Sequence, residues 1–346
     1  MTRFEAHDES MKRTITVLQA GRAVAAMAVL LHHSTVATQD FVQPLPRWLS
    51  VLLENGFRGV DFFFVLSGFI ILHAHGGDVR TGAAAWTYAK KRLRRIYIPY
   101  LPISIGLIAL YTLLPGFSAS TRDWSLITSL TLFPTTAPPA LSVAWTLMHE
   151  MLFYTVFLAF YFTRFFSAIV AVWAVLIVVG GWIMGAGGIV LAPINLEFIA
   201  GMVAAIAARS LPSRGGFALL VVGALGSAAS VIWLGSEGYA RVWFGLSLAL
   251  VLPGLVRLEA QGHLTTPGWL MLLGNSSYAI YLVHNPLASL GARLSARIEP
   301  LNTWPVSLAL CAALGTGIGV LYHLAFEKPA LRWFGKRDAR PSLRRP

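Results

Sequence analysis

Apolar residues in this chain gather into long uninterrupted runs, not into the short amphipathic segments of a soluble domain. Runs of about 17 to 23 residues recur from end to end, each about long enough to cross the hydrocarbon core of a bilayer. Bounded by Pro, Gly and charge, they predict helices over 17–36, 57–75, 97–114, 141–162, 167–186, 190–208, 216–234, 240–257, 270–290 and 304–326. The pattern therefore describes an all-α polytopic membrane protein with about ten transmembrane helices. The apolar stretch from Trp124 to Phe133 is too short to span and reads as an interfacial or re-entrant piece. No internal repeat or low-complexity tract divides the chain, so 1–346 reads as a single domain, with a polar segment over 1–14 and a basic tail over 328–346. No small-residue cleavage site follows the polar start, and the first run is expected to be retained as a span.

Two ionisable residues, Arg22 and His33, interrupt that first run. Eleven residues are close to three helical turns, so both side chains leave nearly one face, about 16 Å apart along the axis. Groups of this kind are costly in hydrocarbon and mark function by default. The plainer alternative is structural, with Arg22 snorkelling inward and the imidazole satisfied by a neighbouring carbonyl. His32, about 100° away, is expected to turn toward another helix or the interface. Further acids fall inside predicted spans, namely Asp61, Glu150 and Glu197.

Composition and charge fit the same picture. The chain is 56% hydrophobic and 12% charged, with a net charge of +12. With ten spans and an internal N-terminus, the inner segments carry Arg80, the run from Lys90 to Arg95, Arg164, Arg209, Arg214, Arg257 and the basic tail, whereas the outer ones carry only Arg47, Arg58, Arg122, Arg241, Arg293 and Arg297. This bias places both termini in the cytoplasm, in a multi-pass protein of the cell's inner (plasma) membrane. Topology signalling and anionic lipid account for the positive charge without nucleic acid. The sole cysteine, Cys311, excludes a disulfide framework, and no group of histidines and acids has metal-ligand spacing.

Six stretches carry a more specific signal. They are LQAGRAVAAMAVLLHH around Arg22 and His33, GVDFFFVLSGFII (Gly59 to Ile71), KKRLRRIYIPY (Lys90 to Tyr100), AWTLMHEMLFY (Ala144 to Tyr154), SSYAIYLVHNP (Ser276 to Pro286) and FEKP (Phe326 to Pro329). In this order they resemble the acyltransferase 3 family of integral membrane acyltransferases along nearly the whole chain, with the middle, about 165 to 265, matching mainly by hydropathy. The resemblance implies transfer of an acyl group, commonly acetyl, from a cytoplasmic acyl-CoA to a hydroxyl of a carbohydrate that is often exported. No appended hydrolase-like domain is expected, which is the pattern of stand-alone members acting on exopolysaccharide, nodulation oligosaccharide or lipopolysaccharide. Acyl-CoA would be a substrate, with no permanently bound cofactor.

Under that resemblance the polar residues acquire roles. Arg92 and Arg95, one turn apart with Arg94 between them, match the RxxR spacing of an acyl-CoA motif, at what reads as the cytoplasmic mouth of the third helix. As a topology signal the same arginines need no ligand. His33 is expected to be the general base that takes a proton from the acceptor hydroxyl, with attack through an acyl-histidine as the alternative. Arg22 either holds a phosphate or pantetheine group or pairs with Asp61 or Glu150. Glu150 would position the acceptor or fix the histidine tautomer, and Asp61 is either substrate-binding or half of a buried ion pair. Tyr278, Tyr281 and His284, at i, i+3 and i+6, share a broad face suited to an acceptor path. His149 is expected to face elsewhere, His323 to be uninvolved, and Glu327 to form a helix-end pair with Lys328.

Two other functions are compatible with these residues. A transporter or flippase of a lipid-linked glycan could use the intramembrane groups as a proton or substrate path. A structural partner of a polysaccharide synthase would tolerate their replacement.

Overall fold

The computed structural model describes residues 15–114, 123–210, 212–235 and 238–339, and among them every regular element is helical. The polar segment over 1–14, part of the loop before Ala140 and the end of the basic tail lie outside the described residues. In chain order the helices are α1 (Thr16–Phe41), α2 (Arg47–Glu54), α3 (Gly59–His75), α4 (Gly82–Leu113), α5 (Leu126–Thr131), α6 (Trp145–Phe162), α7 (Phe166–Leu176), α8 (Asn195–Ser210), α9 (Ser213–Trp233), α10 (Tyr239–Ala260), α11 (Gly268–Arg297), α12 (Trp304–Tyr322) and α13 (Lys328–Ala339). Two π-helical turns, Ile177–Ile183 and His323–Glu327, extend α7 and join α12 to α13.

Seven helical stretches among the described residues are long and apolar enough to cross a membrane. The three remaining predicted spans are helical too, as α1, α8 and α11, but fall short of that standard. Helix α8 has 16 residues, while α1 and α11 are interrupted by polar side chains. Exposure runs opposite to that of a soluble protein. Val175, Ile183, Val203, Ile206, Leu225 and Ile232 face outward, whereas Ser34, Thr35, Thr38, Asp61, Ser276, Ser277 and His284 are buried. Such a surface suits lipid, and the interior provides the partners that lipid lacks.

Helix α1 packs against α11, α3 and α12. Ile15 supplies no side-chain cap to its first turn. Glu259 from the end of α10 does so instead, accepting from Thr16 N at 2.7 Å, Thr16 Oγ1 at 2.6 Å and Val17 N at 3.1 Å. A carboxylate there satisfies orphan N–H groups and complements the helix dipole. Helices α3 and α8 touch through Gly68 and Gly201, where a Cβ on either would strike the other helix's backbone carbonyl, of Phe198 or Val65. Backbones come this close only at glycine.

Helix α4 differs from expectation. The predicted span 97–114 is the second half of a 32-residue helix that starts at Gly82, so the arginines at 92–95 lie within a helix and not at its entry. Thr81 caps it, accepting from Ala84 N at 3.2 Å. The short apolar stretch near 124–133 contains the six-residue α5, bound to α4 where the Tyr100 hydroxyl and Ser104 Oγ donate to Ser129 O at 2.7 and 2.9 Å.

Candidate active site

A cavity of about 660 Å³ opens among α1, α3, α4, α6, α11 and the turn between α12 and α13. Gln19, Arg22, Arg92, Arg95, Lys328 and Arg332 line one part of it, and Val60, Phe63, Phe64, Thr146 and Tyr281, around the first turns of α3, line another. Leu66, Ile70 and Ile71 supply apolar wall. Five cationic side chains line it against two carboxylates, Glu150 and Glu327, so the cavity favours an anionic ligand.

Each cation is placed by its helix. Arg92 and Arg95 sit one turn apart on α4; the Arg92 guanidinium lies 5.5 Å from the Tyr154 ring centre and 5.7 Å from that of Tyr88, and Arg95 lies 6.0 Å from that of Tyr278. Aromatic faces hold a cation without neutralising it. The Arg92 Nε is buried and has no hydrogen-bond partner among the described residues, a donor left for something else. Arg94 is different, because it turns away from the cavity and donates to Phe334 O of α13 at 3.1 Å. It ties two helices together and is not placed to touch a donor.

Arg22 reaches the cavity from α1 and donates from Nε to Ser277 Oγ at 3.0 Å. Neither acid expected as its partner forms a hydrogen bond or close ion pair with it among the described residues. Asp61, fully buried, accepts from Arg241 Nε at 3.1 Å and Nη2 at 2.5 Å, and it does not line the cavity. The Asp61–Arg241 pair bridges α3 and α10, and the Arg241 guanidinium lies 5.4 and 5.7 Å from the ring centres of Phe57 and Trp145. Glu150 does line the cavity, accepting from the Tyr154 hydroxyl and, at 3.3 Å, from Ser67 Oγ. It makes no bond to His33. Glu197 is buried over Gly245, with no hydrogen-bond partner for either oxygen among the described residues.

His33 does not line the cavity and is joined to it through α11, whose Tyr281 does. Its Nδ1 lies 3.0 Å from Val29 O and 3.2 Å from His284 Nε2, while His284 Nδ1 lies 2.6 Å from Tyr281 O. Carbonyl oxygens only accept, so hydrogen-bond accounting puts a proton on both Nδ1 atoms. His284 Nε2 is then an acceptor for His33 Nδ1–H, and His33 Nε2 carries a free lone pair. The Tyr281 ring packs against His284, with centres 5.4 Å apart, and against Phe63 at 6.1 Å. Tyr281 donates to Val143 O at 3.1 Å and meets Thr146 Oγ1 at 2.9 Å. Tyr278 lines the cavity and donates to Ile96 O at 3.1 Å. The face shared by Tyr278, Tyr281 and His284 thus runs from the cavity to His33. His32 turns to Phe57, with ring centres 5.8 Å apart, and His149 bonds Asn195 at 2.9 Å.

Several wall residues were not legible beforehand. Glu327 does not form a helix-end pair with Lys328; it accepts from His323 Nδ1 at 2.7 Å, and both line the cavity. The π turn at 323–327 brings these two inward, a local irregularity of a kind frequent at functional sites. Lys328 and Arg332, which the sequence places only in the basic tail, form part of the same wall.

A cationic cavity among membrane-type helices, with a histidine pair packed behind its α11 wall, fits a membrane acyltransferase. The chain belongs to that class: residues 15–324 match the acyltransferase domain family. It is also similar to the exopolysaccharide production protein ExoZ of Rhizobium meliloti (strain 1021), with 31% identity over 298 residues, covering 80% of this chain and 90% of the relative. No solved structure matches the chain.

Proposed function

We propose that this protein transfers an acyl group, acetyl in the first instance, from cytoplasmic acyl-CoA to a hydroxyl of a cell-surface or exported carbohydrate. The observation that carries the reading is the cavity, cationic at one end and apolar toward the other, in a chain of this family. Its volume falls in the range of roughly 300–1,000 Å³ typical of small-molecule sites. Coenzyme A combines a diphosphate, a 3′-phosphate and a slender pantetheine arm. Arg92 and Arg95 suit the phosphates as multidentate donors, and the wall of Phe63, Leu66, Ile70 and Ile71 suits the arm. The name of the relative favours an exopolysaccharide acceptor.

In this mechanism His33 Nε2 takes the proton of the acceptor hydroxyl as its oxygen attacks the thioester carbonyl. The C–S bond breaks, the thiolate leaves, and the imidazolium returns its proton to the sulfur. His284 holds His33 in the tautomer that leaves Nε2 free. In this reading the Phe63–Tyr281 contact lies between thioester and base, and transfer requires it to part. Ten crossings of the inner membrane, with both termini in the cytoplasm, give the donor entry from inside and place His33 toward the outer half, where an exported acceptor approaches.

Membranes containing the protein, supplied with acetyl-CoA and oligosaccharide fragments of the host exopolysaccharide, test this directly. Release of free coenzyme A together with a mass gain of one acetyl group on the glycan supports the proposal. Glycan counterflow without thiol release would instead favour a flippase.

A further inference from the structure

We infer that Lys328 and Arg332 form a separate subsite for the 3′-phosphate of the donor, while Arg92 and Arg95 take its diphosphate. The inference rests on the acyl-CoA reading above and adds to it a specificity determinant on α13.

Lys328 and Arg332 are four residues apart, so they project from one face of α13, and both line the cavity with Leu331 beside them. Both side chains are exposed, whereas Arg92 and Arg95 are half-buried, so the α13 pair stands at the entrance and the α4 pair further in. Neither Lys328 nor Arg332 is engaged in an ion pair among the described residues. The nearest acid in sequence, Glu327, is already bonded to His323 at 2.7 Å. A cationic pair left without a carboxylate, on the wall of a cavity, is a site for an anion.

The two pairs are also held in fixed relation. Arg94, between Arg92 and Arg95, donates to Phe334 O two residues beyond Arg332. The two cationic walls are therefore fastened to one another by a bond that is not itself part of either.

The length of the cavity assigns the phosphates. Its α3 wall runs from Val60 to Ile71, eleven residues or about 16 Å, which suits an extended pantetheine arm. With the thioester at the Phe63–Tyr281 end, the diphosphate falls at the level of Arg92 and Arg95. The phosphoadenosine remains at the entrance, beside Lys328 and Arg332. Arg92 and Arg95, further in, are then left to the diphosphate, and the exposed α13 pair meets the phosphate across the ribose.

The test compares initial rates with acetyl-CoA and with acetyl-3′-dephospho-CoA. The expected wild-type enzyme prefers acetyl-CoA in kcat/KM by about tenfold or more, the scale of one charge-assisted contact. In Lys328→Ala/Arg332→Ala the ratio falls to near one; Arg332→Gln, a milder change, reduces it partway. Arg92→Ala lowers kcat/KM for both donors and keeps the ratio. A wild-type enzyme indifferent to the 3′-phosphate, or a double variant that keeps the full preference, overturns the subsite while leaving the donor reading intact. Absence of coenzyme A release from either donor in the wild type overturns both.

Discussion

His33 Nδ1 and His284 Nε2 lie 3.2 Å apart, across the packing of α1 on α11, and this contact links the two histidines into one hydrogen-bonded series ending at Tyr281 O. Because each Nδ1 faces a carbonyl, the series has one direction, and its free end is His33 Nε2. Under the proposed mechanism His284 is a positioning residue. Replacing it with alanine is expected to lower kcat about ten- to a hundredfold with little change in KM for acetyl-CoA. Gln, whose carbonyl can accept from His33 Nδ1–H, should restore part of the loss; steady-state kinetics on the two variants checks this.

Arg95 and Arg94 are neighbours with opposite expectations. Arg95 lines the cavity, whereas Arg94 is spent on Phe334 O. Arg95→Ala should raise KM for acetyl-CoA about tenfold or more, the cost of a charged contact. Arg94→Ala removes the tie between the two cationic walls, so it should lower thermal stability and raise that KM far less than Arg95→Ala does. Donor titrations of both variants separate the two outcomes.

The Asp61–Arg241 pair predicts a stability effect. Asp61 is fully buried, and its removal leaves a guanidinium between Phe57 and Trp145 without its counter-ion. Asp61→Ala should cost about 3–5 kcal/mol, and replacing both partners with apolar residues of similar volume should recover most of it. Thermal unfolding in detergent measures both.

Close packing of α3 on α8 gives a further test. Gly201→Ala places a methyl group against Val65 O, and the helices must separate. The expected cost is about 1–3 kcal/mol, the usual range for overpacking. A matched loss of thermal stability in Gly68→Ala would confirm the reciprocal contact.

Much of this arrangement was legible in the sequence because it depends on local spacing. Arg22 and His33 share a face of α1, and Arg92 and Arg95 share a face of α4, as a helical period requires. The length of α4 was hidden because hydropathy registers only its apolar half, although lysine and arginine are good helix formers. Partners remote in the chain were equally hidden. Arg241 lies 180 residues from Asp61, and Glu259 lies 243 from Thr16, separations at which no periodicity operates. Glu327 and His323 have the i, i+4 spacing of a helical pair, but nothing in the local sequence marks the π turn under both or its place on the cavity wall.

The most direct measurement is the turnover of His33→Ala in membranes supplied with acetyl-CoA and the glycan acceptor. If His33 is the base, acetyl transfer falls by about 100- to 10,000-fold while KM for acetyl-CoA, which the cationic end of the cavity sets, stays near the wild-type value. Near-normal turnover in that variant, at a normal protein level, would contradict the account.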